Sequence, residues 1–257
     1  MKKLSKLVAL CLATSFLFSA CGKSEKKESN GTKQEEKKEA GVQDNLVVEN
    51  EGTPVENATL KVAYISDSPF TGIFHLAFAT ADPDMQILEY SAGGTFKVDE
   101  NFKIVNGGGA DVEFKPEEKK IVVTINEKYT WNDGTPVTSA DFLEYYKIIA
   151  DKDYTGVRFT GDVRNVVGIE EYHDGKAKEI SGFKTLSDKQ FEVNFKEFTP
   201  SILWGGGIPS EPVPSHKLKD IPVKEQEAHD ITRKNPLSPG PYYIKEIVPG
   251  QQVIFEA

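Results

Sequence analysis

The chain has 257 residues, with 31 Lys or Arg against 40 Asp or Glu, which gives a formal net charge of −9 at pH 7. This acidic balance argues against a densely negative partner, so nucleic acid is not an expected ligand. The length suffices for a sizeable buried core, and two cysteines exclude a small fold held by several disulfides.

The first 20 residues have the pattern of an export signal. Three lysines among residues 2–6 precede a largely apolar, uncharged stretch at residues 7–20, which is shorter than the roughly 20 residues that a membrane-spanning helix needs. Small residues then lead into Cys21. This end resembles the bacterial lipobox, in which the cysteine is lipidated and becomes the new N-terminus, although Phe18 stands where Leu is usual. The alternative is an ordinary secretory signal with an incidental cysteine.

A charged tether is predicted over residues 21–45. Half of residues 22–45 are charged and none is aromatic, so this segment cannot bury enough apolar surface to offset the entropy lost on ordering. The folded part is predicted to span residues 46–257. The expected location is the extracellular face of the cell membrane, where lipid on Cys21 anchors the protein.

The first folded segments combine a strand, a loop and a short helix. Residues 59–65 alternate apolar and polar side chains, which predicts a strand. Residues 66–71 are rich in turn-forming Ser, Asp and Pro and predict a loop. The apolar run at residues 72–80 favours a short helix, and residues 97–105 favour a strand.

The centre of the chain carries the clearest local signals. Residues 120–131 predict a strand with one apolar side, and residues 132–136 predict a turn. Thr138 and Asp141 form a capping box for a helix that reaches about residue 149. The helical spacing predicts burial of one face, formed by Phe142, Tyr145, Tyr146 and Ile149.

The remaining chain predicts hairpins with interspersed helices. A helix is expected at residues 166–172, a hairpin at 183–195, a helical turn at 199–204 and a polar helix at 223–233. The proline-rich stretch at 208–222 predicts irregular chain, and residues 242–255 predict a second hairpin. Because strands and helices do not alternate regularly, the expected fold class is a mixed α+β fold.

The segment from Tyr129 to Phe142, YTWNDGTPVTSADF, resembles the signature of the extracytoplasmic solute-binding proteins of family 5. Four further segments are similar to this family in the same order: residues 168–176, 187–193, 212–216 and 240–251. The resemblance implies a lobe I of the type II-like periplasmic-binding-protein fold, with residues 46–257 apparently lacking lobe II. One hypothesis is therefore that the chain is an incomplete gene product.

The resemblance also implies a function. Members of the family bind peptides, oligopeptides or nickel for ABC importers, and the lipobox with its lysine-rich tether is most similar to oligopeptide-binding lipoproteins of Gram-positive bacteria. The expected ligands are peptides, and the expected partners are the permease and ATPase subunits of the transporter. A surface lipoprotein on the same fold, serving as a peptide-signal receptor or an adhesin, is the alternative.

The resemblance places candidate peptide-binding residues in three groups. In the family, the loop after the first strand pairs with the peptide backbone; Tyr154 and Arg158 match a cleft-lining region, and Trp204 and Gly205 lie near the cleft or hinge. Each has an ordinary structural alternative as surface loop or packing. The candidate loop residues are Ser66, Asp67, Ser68, Pro69, Phe70, Thr71 and Gly72.

No catalytic chemistry is predicted. The chain lacks a Gly-x-Ser-x-Gly nucleophile motif, and its four histidines do not have metal-ligand spacing. The cysteine that remains after export is assigned to lipidation. We therefore expect neither an enzyme nor a cofactor.

Overall fold

The computed structural model describes residues 57–92 and 94–257. The predicted signal at 1–20, the tether at 21–45 with Cys21, and the start of the predicted lobe lie outside these residues. The chain divides into two compact units, Met1–Leu60 and Lys61–Ala257. Of the first unit only residues 57–60 are described, and they form no helix or strand. Everything below concerns the second unit.

A four-stranded antiparallel sheet forms the centre of the fold. Its order is β3 (Ala110–Lys115), β4 (Lys120–Ile125), β6 (Gln190–Asn194) and β5 (Phe183–Ser187). Ile121, Val123 and Ile125 of β4 are buried on one face, which confirms the period-2 prediction. The hairpin predicted at 183–195 is likewise confirmed as β5 and β6.

Helix α2 (Ser139–Ile149) packs its apolar face against this sheet. The four residues predicted to be buried on the helix are buried, and Phe142 lies 5.0 Å from Phe191 between ring centroids. Asp141 accepts a hydrogen bond from the Thr138 backbone N–H at 2.8 Å, as the capping box requires. The local sequence signal and the tertiary packing therefore agree here.

The signature segment at residues 129–142 is linked to neighbouring segments by hydrogen bonds to one buried carboxylate, that of Asp141. Trp131 is buried and donates from Nε1 to Asp141 Oδ2 at 3.3 Å. The other oxygen of Asp141 accepts from the backbone N–H of Ser215 at 3.0 Å and from its hydroxyl at 2.6 Å. The Asp141 carboxylate thus joins the turn, the helix start and the proline-rich stretch, which explains why these motifs occur together.

Other elements match the predictions in part. The strand predicted at 97–105 is a small hairpin, β1 (Lys97–Val98) with β2 (Ile104–Val105). The helical turn predicted at 199–204 is a 3-10 helix, Pro200–Trp204. The final hairpin is β7 (Tyr243–Val248) with β8 (Gln252–Glu256). The helix predicted at 166–172 is α4 (Ile169–His173), preceded by a single turn, α3 (Gly161–Arg164).

The polar helix predicted at 223–233 is wrong as one element. It is two short helices, α6 (Val223–Gln226) and α7 (Asp230–Arg233), separated where His229 accepts a capping bond from the Ile231 N–H. The irregular stretch at 208–222 also contains one helical turn, α5 (Ser215–Leu218). His229 is thus the N-cap of α7, where a new helix begins.

Two predictions near the start of the unit are wrong. Residues 61–65 of the predicted strand 59–65 form no strand, and Val62 and Ile65 are 62% and 95% exposed. A strand needs a neighbour for its backbone groups, and no described residue pairs with this segment. The helix predicted at 72–80 is a turn, because the apolar residues there are buried as irregular chain; the helix follows it as α1 (Asp82–Ala92).

Candidate functional site

The predicted peptide loop is an exposed segment with a fixed base. Residues 66–69 are exposed and belong to no helix or strand. At the base, the backbone N–H groups of Thr71, Gly72 and Ile73 all point to the carboxylate of Asp84, at 2.8 to 3.3 Å. Gly72 has a φ of +79°, a conformation that glycine adopts at little cost. The loop is therefore anchored without regular secondary structure.

Asp84 is the anchor of this loop, and sequence reasoning missed it. It lies in the first turn of α1 and is completely buried. Beside the three backbone N–H groups, it accepts a bond from the Thr71 hydroxyl at 2.7 Å. A buried carboxylate must be paired with donors, and here the loop backbone supplies them. The Asp-Pro-Asp at residues 82–84 was the available signal, since Pro and acidic residues favour the first turn of a helix.

Helix α7 holds the far side of the loop. Arg233 donates from Nη1 to the carbonyl of Thr71 at 3.1 Å, and the Phe74 backbone N–H donates to the carbonyl of Thr232 at 3.0 Å. Phe70 packs near Phe74, with ring centroids 6.2 Å apart. These contacts fix where the loop enters the core.

Tyr154 and Arg158 lie against the segment that follows the loop. The Tyr154 hydroxyl donates to the carbonyl of Ala77. Arg158 donates from Nε to the carbonyl of Leu76 at 2.5 Å and from Nη2 to that of Ala79 at 3.0 Å. The structure thus brings these two candidates together with residues 76–79, which follow the loop, and not with the loop itself. Their polar groups are engaged by backbone carbonyls, so in this structure they position residues 76–79.

Trp204 and Gly205 belong to a different surface. Trp204 is 52% exposed and donates from Nε1 to the carbonyl of Asn101, in the turn between β1 and β2. Gly205 ends the 3-10 helix with a φ of +88°. Within the described part of the chain, the indole N–H of Trp204 therefore donates to the small hairpin and not to the anchored loop.

A small cavity of about 50 Å³ lies next to Phe74, His75 and Leu76, which follow the anchored loop at residues 66–72. The segment after the loop, helix α1, the proline-rich stretch and the chain after α7 all contribute to its wall. Two titratable side chains, His75 and Glu211, line it. The remaining lining residues are Phe74, Leu76, Leu88, Ser91, Ala92, Trp131, Pro212, Val213, Pro214, Ile231, Leu237, Ser238 and Pro239.

His75 and Glu211 have perturbed protonation equilibria. Burial lowers the pKa of His75 to about 4, so its imidazole is neutral at pH 7. Burial raises the pKa of Glu211 to about 7, against the opposing effect of the Arg158 charge. Glu211 is partly exposed as a residue, and its carboxyl oxygens keep some contact with solvent. The cavity therefore carries one neutral imidazole and one carboxyl group that titrates near neutral pH.

Neither a metal-binding cluster nor a membrane-spanning helix is present among the described residues. Across 57–92 and 94–257, no group of three or more His, Cys, Asp or Glu could hold a metal ion. In the same ranges no helix is long and apolar enough to cross a membrane.

Comparison with known proteins supports a solute-binding fold. The family model of the bacterial extracellular solute-binding proteins, family 5 Middle, matches residues 110–257. The oligopeptide-binding protein OppA of Lactococcus lactis subsp. lactis is 34% identical over 260 residues, which cover 98% of this chain and 42% of OppA. The oligopeptide-binding protein AppA of Bacillus subtilis (strain 168) is 25% identical over 254 residues, covering 98% of this chain and 40% of AppA.

Solved structures agree with these sequence relationships. Lactococcal OppA, complexed with an endogenous peptide in the closed conformation, aligns with a TM-score of 0.70 and 31% identity over 73% of this chain and 36% of that chain. AppA from Bacillus subtilis, in complex with a nonapeptide, aligns with a TM-score of 0.61 at 22% identity, over 75% of this chain and 35% of that chain, which supports the fold alone.

The chain spans less than half the length of the relatives it matches. Those relatives are solute-binding proteins and not enzymes, as expected from the sequence. The family match over residues 110–257 and the 34% identity along almost the whole chain establish that this protein belongs to family 5 of the bacterial extracellular solute-binding proteins.

Proposed function

We propose that this chain is a peptide-binding lobe of an oligopeptide-binding lipoprotein that delivers peptides to an ABC permease and its ATPase. The observation that carries the proposal is the anchored loop at residues 66–72. Its base is fixed by Asp84, while residues 66–69 are exposed. In the described chain, the backbone groups of residues 66–70 make no hydrogen bond to other backbone groups. The Ser68 N–H donates to the Ser66 hydroxyl at 3.4 Å, and Pro69 has no N–H. The remaining backbone groups of these residues are available to pair with an extended peptide.

Backbone pairing suits a receptor for peptides of many sequences. Every peptide offers the same N–H and C=O groups, so strand-like pairing recognises main chain whatever the side chains are. An anchored loop loses less conformational freedom on binding than a flexible one, which lowers the cost of association. The fixed base at Thr71 and Gly72 therefore suits a loop that binds a peptide better than a loop that only connects two elements.

The affinity expected from this chain alone is low. The described residues offer an open surface, where water competes for the same groups and each hydrogen bond gains only about 1 kcal/mol net. Association costs on the order of 4–15 kcal/mol in lost freedom. We expect binding no tighter than about millimolar, which corresponds to roughly −4 kcal/mol. A second lobe, added on the same chain or separately, is expected to strengthen binding by enclosing the peptide.

Calorimetry with a mixed peptide library tests the proposal on the chain from Cys21 onward. The variant Asp67→Pro removes one loop N–H that makes no hydrogen bond to the described chain, and it is expected to weaken binding. The control is Glu127→Pro, at an exposed turn position whose N–H makes no bond to the described chain. Equal binding by the two variants would contradict backbone pairing at the loop, and micromolar binding by this chain alone would contradict the need for enclosure.

The membrane anchor is part of the same proposal. Lipid on Cys21 and the charged residues 22–45 would hold the lobe at the extracellular face of the cell membrane, within reach of the permease. Loss of peptide uptake on deletion of this gene would support transport. Unchanged uptake with a lost response to a peptide signal would favour the receptor alternative.

A further inference from the structure

The cavity lined by the segment after the anchored loop contains one buried polar atom without a hydrogen-bond partner in the described chain, on His75. His75 is 7% exposed, and its Nδ1 accepts a hydrogen bond from the Ala77 backbone N–H at 3.2 Å. A neutral imidazole that accepts at Nδ1 carries its proton on Nε2. His75 Nε2 is buried and has no partner in the described chain. A buried N–H donor is therefore left without an acceptor, which is unfavourable because the group has lost its hydrogen bond to water.

Glu211 supplies the complementary acceptor. Its carboxyl group makes no hydrogen bond to the described residues, although it lines the same cavity as His75. The side-chain donors of three other lining residues are already used. Trp131 donates to Asp141, Ser91 donates to the carbonyl of Leu88, and the single hydroxyl proton of Ser238 is shared between the carbonyls of Ser91 and Tyr242. Of these lining side chains, His75 therefore has the only unused N–H donor, and Glu211 has the only unpaired carboxyl group.

The space and the walls limit what fits. A water molecule needs about 10–15 Å³ of such volume, so a cavity of about 50 Å³ accommodates about three to five water-sized atoms. Apolar side chains such as Leu88, Val213 and Leu237 form much of the wall. A fitting group is therefore compact, accepts one hydrogen bond from His75 and donates one to Glu211.

We propose that this cavity is a carboxamide pocket, which receives the side-chain amide of an Asn or Gln residue in a bound peptide. The amide oxygen accepts from His75 Nε2–H, and the amide nitrogen donates to the Glu211 carboxylate. This specificity rests on the proposed peptide binding at the adjacent loop. An ammonium group would leave the His75 donor unsatisfied, and a carboxylate would face the Glu211 carboxylate directly.

Three planar probes of nearly equal shape test the pocket on the chain from Cys21 onward: acetamide, acetate and acetamidinium. Acetamide has one acceptor and one donor side, acetate has only acceptors and acetamidinium has only donors. Binding is followed by ¹⁵N NMR of the His75 imidazole at pH 8, where Glu211 is mostly ionised. Acetamide is expected to shift Nε2–H saturably and to bind at least tenfold more tightly than either ion.

Variants of Glu211 test whether its carboxyl group accepts the hydrogen bond from the amide. Glu211→Leu keeps an apolar wall but removes the acceptor, and a tenfold or larger loss of acetamide binding is expected. Glu211→Gln keeps an acceptor oxygen and is expected to retain most of the binding. The control is Glu225→Leu on α6, an exposed site with no side-chain hydrogen bond in the described chain. If Glu211→Leu does not fold, the three probes on the unmodified chain decide the question.

A matched peptide series then connects the pocket to peptide binding. Peptides that carry Gln, Glu or Lys at one position and are otherwise identical are compared by calorimetry. The experiment is repeated with the Gln at each position of the peptide in turn. A preference for Gln at one position, lost in Glu211→Leu, supports the proposal. Peptide binding without a Gln preference overturns the pocket and leaves the proposed function intact. Acetamide binding without any peptide binding overturns the proposed function when peptides are tested well above about 1 mM, the affinity expected for this chain alone. No saturable acetamide response means that the cavity holds water only.

Discussion

The buried carboxylate of Asp84 is expected to control both the loop and the stability of the lobe. Asp84→Asn replaces one acceptor oxygen with an NH₂ group and removes the charge. The Thr71, Gly72 and Ile73 amides, which now donate to a carboxylate at 2.8 to 3.3 Å, would share a single neutral oxygen. The loop base should therefore loosen before the rest of the fold does.

The magnitude follows from the bonds that change. A hydrogen bond to a charged group contributes about 1.5–3 kcal/mol, and the substitution removes the equivalent of one or two such bonds. Relief from burying a charge offsets part of this loss. The expected destabilisation is about 2–4 kcal/mol, at roughly 2–4 °C of melting temperature per kcal/mol for a domain of this size.

The assay combines thermal unfolding with hydrogen exchange. Asp84→Asn should lower the melting temperature and speed the exchange of the Thr71, Gly72 and Ile73 amides more than that of the β4 amides. Asp82→Asn is the control, because it makes the same charge change in the same helical turn at an exposed site. If the two variants have the same melting temperature and the three amides keep their protection from hydrogen exchange, Asp84 does not anchor the loop.

Three further predictions concern the core, the cavity and the anchor. Trp131→Ala should cost about 3–5 kcal/mol by thermal unfolding, the usual range for deleting a buried aromatic, whereas the half-exposed Trp204→Ala should cost much less; similar losses would contradict the assignment of Trp131 to the core. Glu211 has a pKa raised to about 7, so the folded state holds its proton more tightly than the unfolded state, and stability is lost as pH rises from about 4.5 through 7. Glu211→Gln should therefore be more stable than wild type by up to about 3 kcal/mol at pH 8, and similar to it at pH 4.5, in denaturant unfolding; a pH-independent difference would refute the raised pKa. Cys21→Ala should abolish metabolic labelling with a fatty acid, and label that persists in this variant would exclude Cys21 as the lipidated residue.

Local sequence determined the elements whose signals and partners lie close together in the chain. The alternation at Ile121, Val123 and Ile125 predicted β4 and its buried side, because a period of two leaves only one face for the core. The capping box at Thr138 and Asp141 predicted the start of α2, since the cap is completed within three residues. The signature segment at residues 129–142 also identified the family.

The beginning of the folded unit shows where local reasoning fails. Residues 61–65 have strand periodicity but form no strand, because pairing depends on a neighbour and not on the segment itself. The apolar run at 72–80 looked helical, yet its residues are buried as irregular chain held by Tyr154 and Arg158. Helix α1 was missed although its Asp-Pro-Asp start was visible.

Sequence proposed the loop, and only the tertiary structure decided what surrounds it. Asp84 reaches back over 11 to 13 residues to the loop backbone, and no periodic pattern marks such a bond. The cavity joins His75 to Glu211, which are more than a hundred positions apart in the chain. Side-chain chemistry can be read from sequence, but the pairing of two buried polar groups depends on how distant segments pack, because burial is what changes their pKa values and leaves their hydrogen bonds unmade.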